Sequence, residues 1–139
     1  MIDYQIYVDG SWNSKTNYAG WGFVVLKNLK KVHERCGKTP FPAMSRQIDG
    51  ELEATKQAIK WCLENNILAV SIFADYLGIK MWYEEKWNAK KKVAVDYVRF
   101  CKNIRDKIKV NIFHIQGHSG DYWNEYVDQL AERGKHEAI

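Results

Sequence analysis

Residues 67–74 read Ile-Leu-Ala-Val-Ser-Ile-Phe-Ala, an apolar run broken by a single serine and preceded by Asn65-Asn66. A run of about eight such residues after a turn signal fits a central strand covered on both faces. That strand needs neighbours in a sheet and helices across it, which the remaining segments must supply.

They do so in a consistent order. Ile2, Tyr4, Ile6 and Val8 share one parity, with Asp3, Gln5, Tyr7 and Asp9 on the other. This alternation predicts a strand over 2–9, closed by loop chemistry at Gly10-Ser11-Trp12-Asn13-Ser14. Residues 22–26 predict a second strand and 31–37 a third, and the short connections make the three antiparallel. Pro40 and Pro42 end this region.

From 48 to 63 the period changes: Leu52, Thr55, Ile59, Cys62 and Leu63 fall near one helical face. Residues 75–92 predict a short helix and a lysine-rich connection. A longer helix follows over 93–107, from Val93, Tyr97, Phe100, Cys101 and Ile104. Residues 108–115 predict a last strand, whose apolar parity shifts between Ile112 and Phe113, as at a bulge or a strand buried on both faces. After a loop at 117–120, Asp121 is placed to cap a final helix in which Trp123, Val127, Leu130 and Ala131 share a face. The order β-β-β-α-β-α-α-β-α predicts an α/β fold: one mixed sheet with helices on its faces.

A chain of 139 residues fits one domain, spanning 1–139. Its 46% apolar and 27% charged residues are those of a globular protein, which sets intrinsic disorder aside. The net charge of +4 permits a polyanionic partner without demanding one. Cys36, Cys62 and Cys101 form no CxxC pair, and their odd number argues against a disulfide framework and for a reducing compartment. The N-terminal residues lack the pattern of a signal peptide, and no run approaches the ~20 apolar residues of a membrane span. The expectation is a soluble cytoplasmic protein with no membrane association, taken as a monomer.

Four carboxylates stand in unusual places. Asp9 closes the first strand, on the parity opposite the apolar stripe. Asp75 closes the apolar central strand. Glu51 opens the first long helix, and Asp128 lies on the last helix, one turn after Asn124. Taken singly, each reads as a cap or a solvated charge. Adjacent parallel strands bring their C-terminal ends to one sheet edge, where open α/β sheets place their sites. Carboxylates gathered there repel unless a cation neutralises them, and hard oxygen ligands with open positions suit Mg²⁺ or Mn²⁺.

Four motifs then resemble the type 1 ribonuclease H family, in order and over nearly the whole chain. They are YVDGSW at 7–12, DGELEA at 49–54, IFADYLGIKMW at 72–82 and IQGHSGDYWNEYVDQLA at 115–131. The last is the most specific, pairing His118 in a small loop with Asp128 ten residues on and Asn124 between them. The ADYLGI stretch and the segment from Trp82 to Lys90 look most like the bacterial branch of the family.

The resemblance implies a three-layer ribonuclease H-like fold, with a five-stranded mixed sheet of three antiparallel N-terminal strands plus two parallel ones. It implies that Asp9, Glu51, Asp75 and Asp128 hold metal and that His118 is an auxiliary histidine near the scissile phosphate. The implied reaction is endonucleolytic hydrolysis of the RNA strand of RNA–DNA hybrids, leaving 5′-phosphate and 3′-hydroxyl ends. Two Mg²⁺ or Mn²⁺ ions roughly 3.5–4 Å apart would serve the nucleophile and the leaving oxygen. His33, His114 and His136 carry no motif and are assigned no role.

Such a nuclease tells RNA from DNA through the 2′-hydroxyl. The candidates for that contact are Gly10, Ser11, Asn13, Arg46 and Gln47; Asn124 from the last motif is a further substrate-binding candidate. The region departs from the commonest family pattern: Gln47 and Ile48 stand where many relatives have paired asparagines, and Leu77 where many have a polar residue. Trp82, Trp87 and Lys90 lie in a basic, aromatic segment suited either to a DNA strand's phosphates and sugars or to a solvated loop with tryptophans in the core. Two rival functions share the fold: a DNA resolvase-like nuclease and a non-catalytic nucleic-acid-binding module.

Overall fold

A computed structural model describes residues 3–117 and 120–137. Among them the chain forms five strands and four helices: β1 Tyr4–Asn13, β2 Tyr18–Lys27, β3 Lys30–Lys38, α1 Gln47–Glu64, β4 Ala69–Ala74, α2 Leu77–Tyr83, α3 Lys92–Ile104, β5 Lys109–His114 and α4 Tyr122–Gly134. The strands make one sheet in the order β3-β2-β1-β4-β5. β1, β2 and β3 are antiparallel neighbours, while β4 runs parallel to both β1 and β5. This is the mixed, helix-flanked sheet expected from the order of patterns.

Glycines decide how closely the helices approach. A Cβ on Gly10 would stand 2.3 Å from the Glu51 backbone nitrogen, so α1 lies directly on β1. On the other face, a Cβ on Gly20 would stand 2.3 Å from the Ala131 carbonyl oxygen, so α4 lies directly on β2. The α1 face carries the main core, in which Ile6, Val8, Phe23 and Ile72 pack with Leu52, Ile59 and Tyr97. The α4 face carries a smaller one of Val24, Leu26 and Val127, flanked by Tyr7, Trp123 and Tyr126.

Three expectations need correction. The first strand does not close at Asp9. Its pairing with β2 runs on from Asp9↔Gly22 to Asn13↔Tyr18, so the Gly10–Asn13 loop is strand and the turn lies beyond it. Gly10 is there for the close approach of α1, not for a turn. The run at 67–74 is not covered on both faces. Val70, Ile72 and Ala74 are buried, but Ser71 and Phe73 are only half-buried, because α4 packs over β1, β2 and β3 and leaves that side of β4 open. Nor is there a bulge at Ile112–Phe113: β5 pairs with β4 in unbroken register. Phe113 is exposed on the open side and stacks on Phe73, which stacks on Tyr7. Among the described residues the sheet's one register shift falls at Val25/Leu26, between β2 and β3.

Helix ends follow local chemistry. Asp121 caps α4, accepting hydrogen bonds from the Trp123 and Asn124 backbone N–H groups. At the other end of α1, Asn65 and the left-handed Asn66 (φ 57°) stop the helix. α3 ends at Ile104, three residues earlier than its pattern suggested. Among the described residues no helix is long and apolar enough to cross a membrane.

Candidate active site

Strand register sets the first pair of carboxylates. Val8 pairs with Ala74 in the parallel β1–β4 ladder, so Asp9 and Asp75 are the next residues on neighbouring strands. The Asp9 carboxylate accepts a hydrogen bond from the Gly10 N–H (2.9 Å), which fixes its orientation.

Glu51 comes from α1. The chain enters that helix through Arg46 in a left-handed conformation (φ 53°). Asp49, in the first turn, accepts from the Met44 and Ser45 N–H groups at 3.0 and 2.7 Å, pinning the entry loop to the helix. With α1 pressed onto Gly10, Glu51 meets the strand ends. Ligand oxygens of Asp9, Glu51 and Asp75 all lie within 4.8 Å of one another.

Two of the three are buried, Asp9 at 3% and Glu51 at 4% exposed, and Asp75 is half-buried. Burial pushes the Asp9 carboxyl up to about 8; the negative charge of Asp75 and contact with Asp128 push the same way, while hydrogen bonds from Glu51 and the Gly10 N–H oppose them. Glu51 is held well above the usual carboxylate range, by burial first and then by Asp9. Its Oε2 is buried with no hydrogen-bond partner. Anions so close and so dry are stable only when protonated or neutralised, and a divalent cation neutralises them while giving Oε2 a partner. An all-oxygen donor set of this kind fits Mg²⁺ or Mn²⁺.

Asp128 stands on α4 outside this trio, exposed, but its side chain reaches the Asp9 carboxyl. His118 lies outside the described residues; Gly117, just before it, packs against the Asp75 carboxylate. Asn124 is buried on α4, its Oδ1 without a partner.

The remaining candidates lie around the trio or along the connection to α3. Gly10 is enclosed under α1. Ser11 donates to Glu132 of α4 (2.8 Å), and Asn13 accepts from the Lys15 N–H in the following turn. Arg46 and Gln47 are exposed where α1 begins, the Arg46 guanidinium lying 5.1 Å from the Trp12 ring centroid. Trp82 packs on the main core with its ring against Tyr76 and Trp87. Trp87 and Lys90 are exposed on the connection between α2 and α3.

Sequence reasoning missed two contributors. Asp49 orders the entry to α1 through its hydrogen bonds, and its place in the first turn, three residues before Leu52, the first position of the apolar pattern, was the available signal. His114 reaches the Asp75 carbonyl oxygen with its Nε2, at 3.1 Å. No periodicity or motif marked it.

Comparison with known proteins agrees with this geometry. The model of the RNase H family matches residues 2–136. The chain is 30% identical to the ribonuclease H of Orientia tsutsugamushi (strain Boryong), over 99% of this chain and 85% of that one. It is 29% identical to the ribonuclease H of Gluconobacter oxydans (strain 621H), over 96% and 92%. Its fold matches the crystal structure of RNase H1 from the halophilic archaeon Halobacterium salinarum NRC-1 with a TM-score of 0.81, at 15% identity, covering 98% of this chain and 99% of that one. It also matches LC11-RNase H1 in complex with an RNA/DNA hybrid, with a TM-score of 0.73 at 16% identity, covering 94% and 98%. A family match over nearly the whole length, on a fold that gathers three of the motif carboxylates, leads to one conclusion: the chain belongs to the ribonuclease H family.

Proposed function

We propose that this protein hydrolyses the RNA strand of RNA–DNA hybrids endonucleolytically, leaving 5′-phosphate and 3′-hydroxyl ends. The observation that carries the reading is the close trio of Asp9, Glu51 and Asp75, in which Asp9 and Glu51 are buried and one Glu51 oxygen lacks a hydrogen-bond partner. The hybrid seen with LC11-RNase H1, a protein of the same fold, supports the choice of substrate.

In this reading Asp9, Glu51, Asp75 and Asp128 hold two Mg²⁺ or Mn²⁺ ions. When bound, such ions supply an activated water and charge stabilisation for the departing 3′-oxygen. The chain's own part is to hold four carboxylates ready at one sheet edge, where the close contact of α1 with Gly10 sets Glu51 beside Asp9 and Asp75. His118 acts beside the scissile phosphate and assists turnover, an imidazole being able to exchange a proton near neutrality. Gly10, Ser11, Asn13, Arg46, Gln47 and Asn124 meet the hybrid near the cut. Trp82 or Trp87, with Lys90, meets its DNA strand, Lys90 on phosphate and the ring against a sugar.

The test is a side-by-side digestion of labelled hybrid, single-stranded RNA, duplex RNA, duplex DNA and a four-way DNA junction, with Mg²⁺ and with Mn²⁺. Selective, metal-dependent cutting of the hybrid that disappears in Asp75→Asn supports the proposal. Undiminished cutting in EDTA overturns the metal mechanism, and a preference for the junction overturns the substrate.

A further inference from the structure

Three contacts tie the end of β5 to the end of β4 beside Asp75. The Ile115 N–H donates to the Ala74 carbonyl at 2.9 Å. Gly117 lies so close to the carboxylate that a Cβ there would stand 3.0 Å from Asp75 Oδ2. Between them, the His114 Nε2 sits 3.1 Å from the Asp75 carbonyl oxygen. A carbonyl oxygen only accepts, so Nε2 carries the hydrogen and His114 donates.

The first two contacts are made through backbone. The third belongs to the side chain of a residue exposed at the strand end, and its Nε2 is directed at the Asp75 carbonyl oxygen. It acts where β4 has stopped pairing with β1, since that ladder ends at Val8↔Ala74. The Asp75 peptide thus stands one residue past its last β1 partner, and the direction of its side chain depends on how that peptide is held.

We propose that His114 is a positioning residue for Asp75: its Nε2–H fixes the peptide after β4 and so sets how the Asp75 carboxylate faces Asp9 and Glu51. This rests on the reading above, in which those three carboxylates hold metal. Groups that orient a ligand from outside the coordination sphere change metal affinity, because a ligand already in place loses less freedom when the ion arrives.

The test compares the wild-type protein with His114→Ala and His114→Gln, the latter placing an amide donor at similar reach. Mn²⁺ binding to the protein alone is measured by calorimetry, thermal melting is measured without metal, and kcat and KM are measured on hybrid. His114→Ala is expected to bind Mn²⁺ about 10-fold more weakly, at the low end of what outer-sphere changes produce. Its kcat falls while KM and metal-free melting stay at wild-type values, and His114→Gln recovers most of the loss. Wild-type Mn²⁺ affinity in His114→Ala overturns the proposal. So does a parallel loss of melting temperature and affinity in both variants, which marks a merely structural residue. If wild-type protein binds Mn²⁺ but leaves hybrid intact, the proposed substrate fails, while the affinity comparison still decides the role of His114.

Discussion

Asp9 and Asp75 face each other because one ladder pair, Val8↔Ala74, is the last that β1 and β4 share. Each aspartate is the next residue on its strand, and α1 brings Glu51 to the same place over Gly10. The arrangement stores electrostatic cost in the metal-free protein, and that cost makes it testable.

The first prediction concerns pH. The folded Asp9 carboxyl, at about 8, lies above its ordinary value of 3.8 chiefly because of burial. The folded state therefore keeps a proton that the unfolded chain releases. Its contribution to stability is complete below about pH 4 and is lost as pH rises through about 8. Glu51, also raised, acts in the same sense. In EDTA, Asp9→Asn melts at a higher temperature than wild type at pH 8–9, and the gap narrows toward pH 5. Melting curves across this range check the sign. A wild-type protein that gains stability on going from pH 5 to 9 without metal contradicts it.

Metal should narrow that gap. For a millimolar dissociation constant, 10 mM Mg²⁺ adds about 1.4 kcal/mol to the folded state, a rise of a few degrees in Tm. Wild type gains this and Asp9→Asn does not. Asp9→Asn also loses hybrid cleavage by several orders of magnitude. Calorimetric scans with and without Mg²⁺ give the first result and initial rates the second. Equal Mg²⁺ stabilisation of both proteins removes Asp9 from the metal site.

A methyl group at Gly10 tests the packing that delivers Glu51. In Gly10→Ala the new carbon meets backbone atoms, 2.3 Å from the Glu51 nitrogen and 2.5 Å from the Gln47 carbonyl oxygen. Backbone cannot rotate away as a flexible side chain can, so α1 must shift. The expected cost is about 3 kcal/mol in urea unfolding, at the upper end for overpacking. Metal affinity falls with it, because Glu51 moves with the helix. Unchanged unfolding of Gly10→Ala shows that α1 does not rest on this strand.

Asp121 tests the other helix at the site. Its Oδ1 accepts from the Trp123 N–H at 3.0 Å and the Asn124 N–H at 3.1 Å. Removing the cap in Asp121→Ala costs about 1 kcal/mol, and Asp121→Asn restores most of it. Because α4 also carries Asp128 toward Asp9, the alanine variant requires more Mg²⁺ for half-maximal rate. Chemical unfolding and Mg²⁺ titration of the rate check the two effects separately.

The sheet and most helices were legible because their residues obey period rules, and the carboxylates stood out only through the motifs around them, since Asp9 keeps the polar parity of β1 and Asp75 follows the end of β4. What stayed hidden depends on partners distant in sequence. Gly10-Ser11-Trp12-Asn13 has loop composition, but its opposite residues on β2 make it strand. Phe113 shifts the apolar parity of β5 because α4 leaves that face open and Phe73 offers a ring to stack on. The order of elements does not say how far α4 reaches across the sheet. His114 carries no pattern of its own, and its contact with Asp75 exists only once β4 and β5 are aligned.

His33 gives a last prediction, at low pH and away from the catalytic edge. Its ring stacks on Trp61 with centroids 4.8 Å apart and lies tilted against Phe23, and its Nε2 is buried without a partner. Burial, and then the nearby Arg35 guanidinium, lower its pKa below the ordinary 6.5, with Glu34 opposing them. Here the folded state resists a proton that the unfolded chain takes up. The stabilising contribution is thus present above about pH 6.5 and is lost as pH falls through the depressed folded value. Replacing the imidazole by an apolar ring in His33→Phe keeps the stack and removes the titration. The variant should match wild type at pH 8 within about 1 kcal/mol, as shape-preserving swaps do. It should lose less stability than wild type between pH 7 and 5. Urea unfolding at several pH values measures both slopes, and parallel acid limbs for the two proteins show that His33 takes up its proton as readily in the folded state as in the unfolded chain.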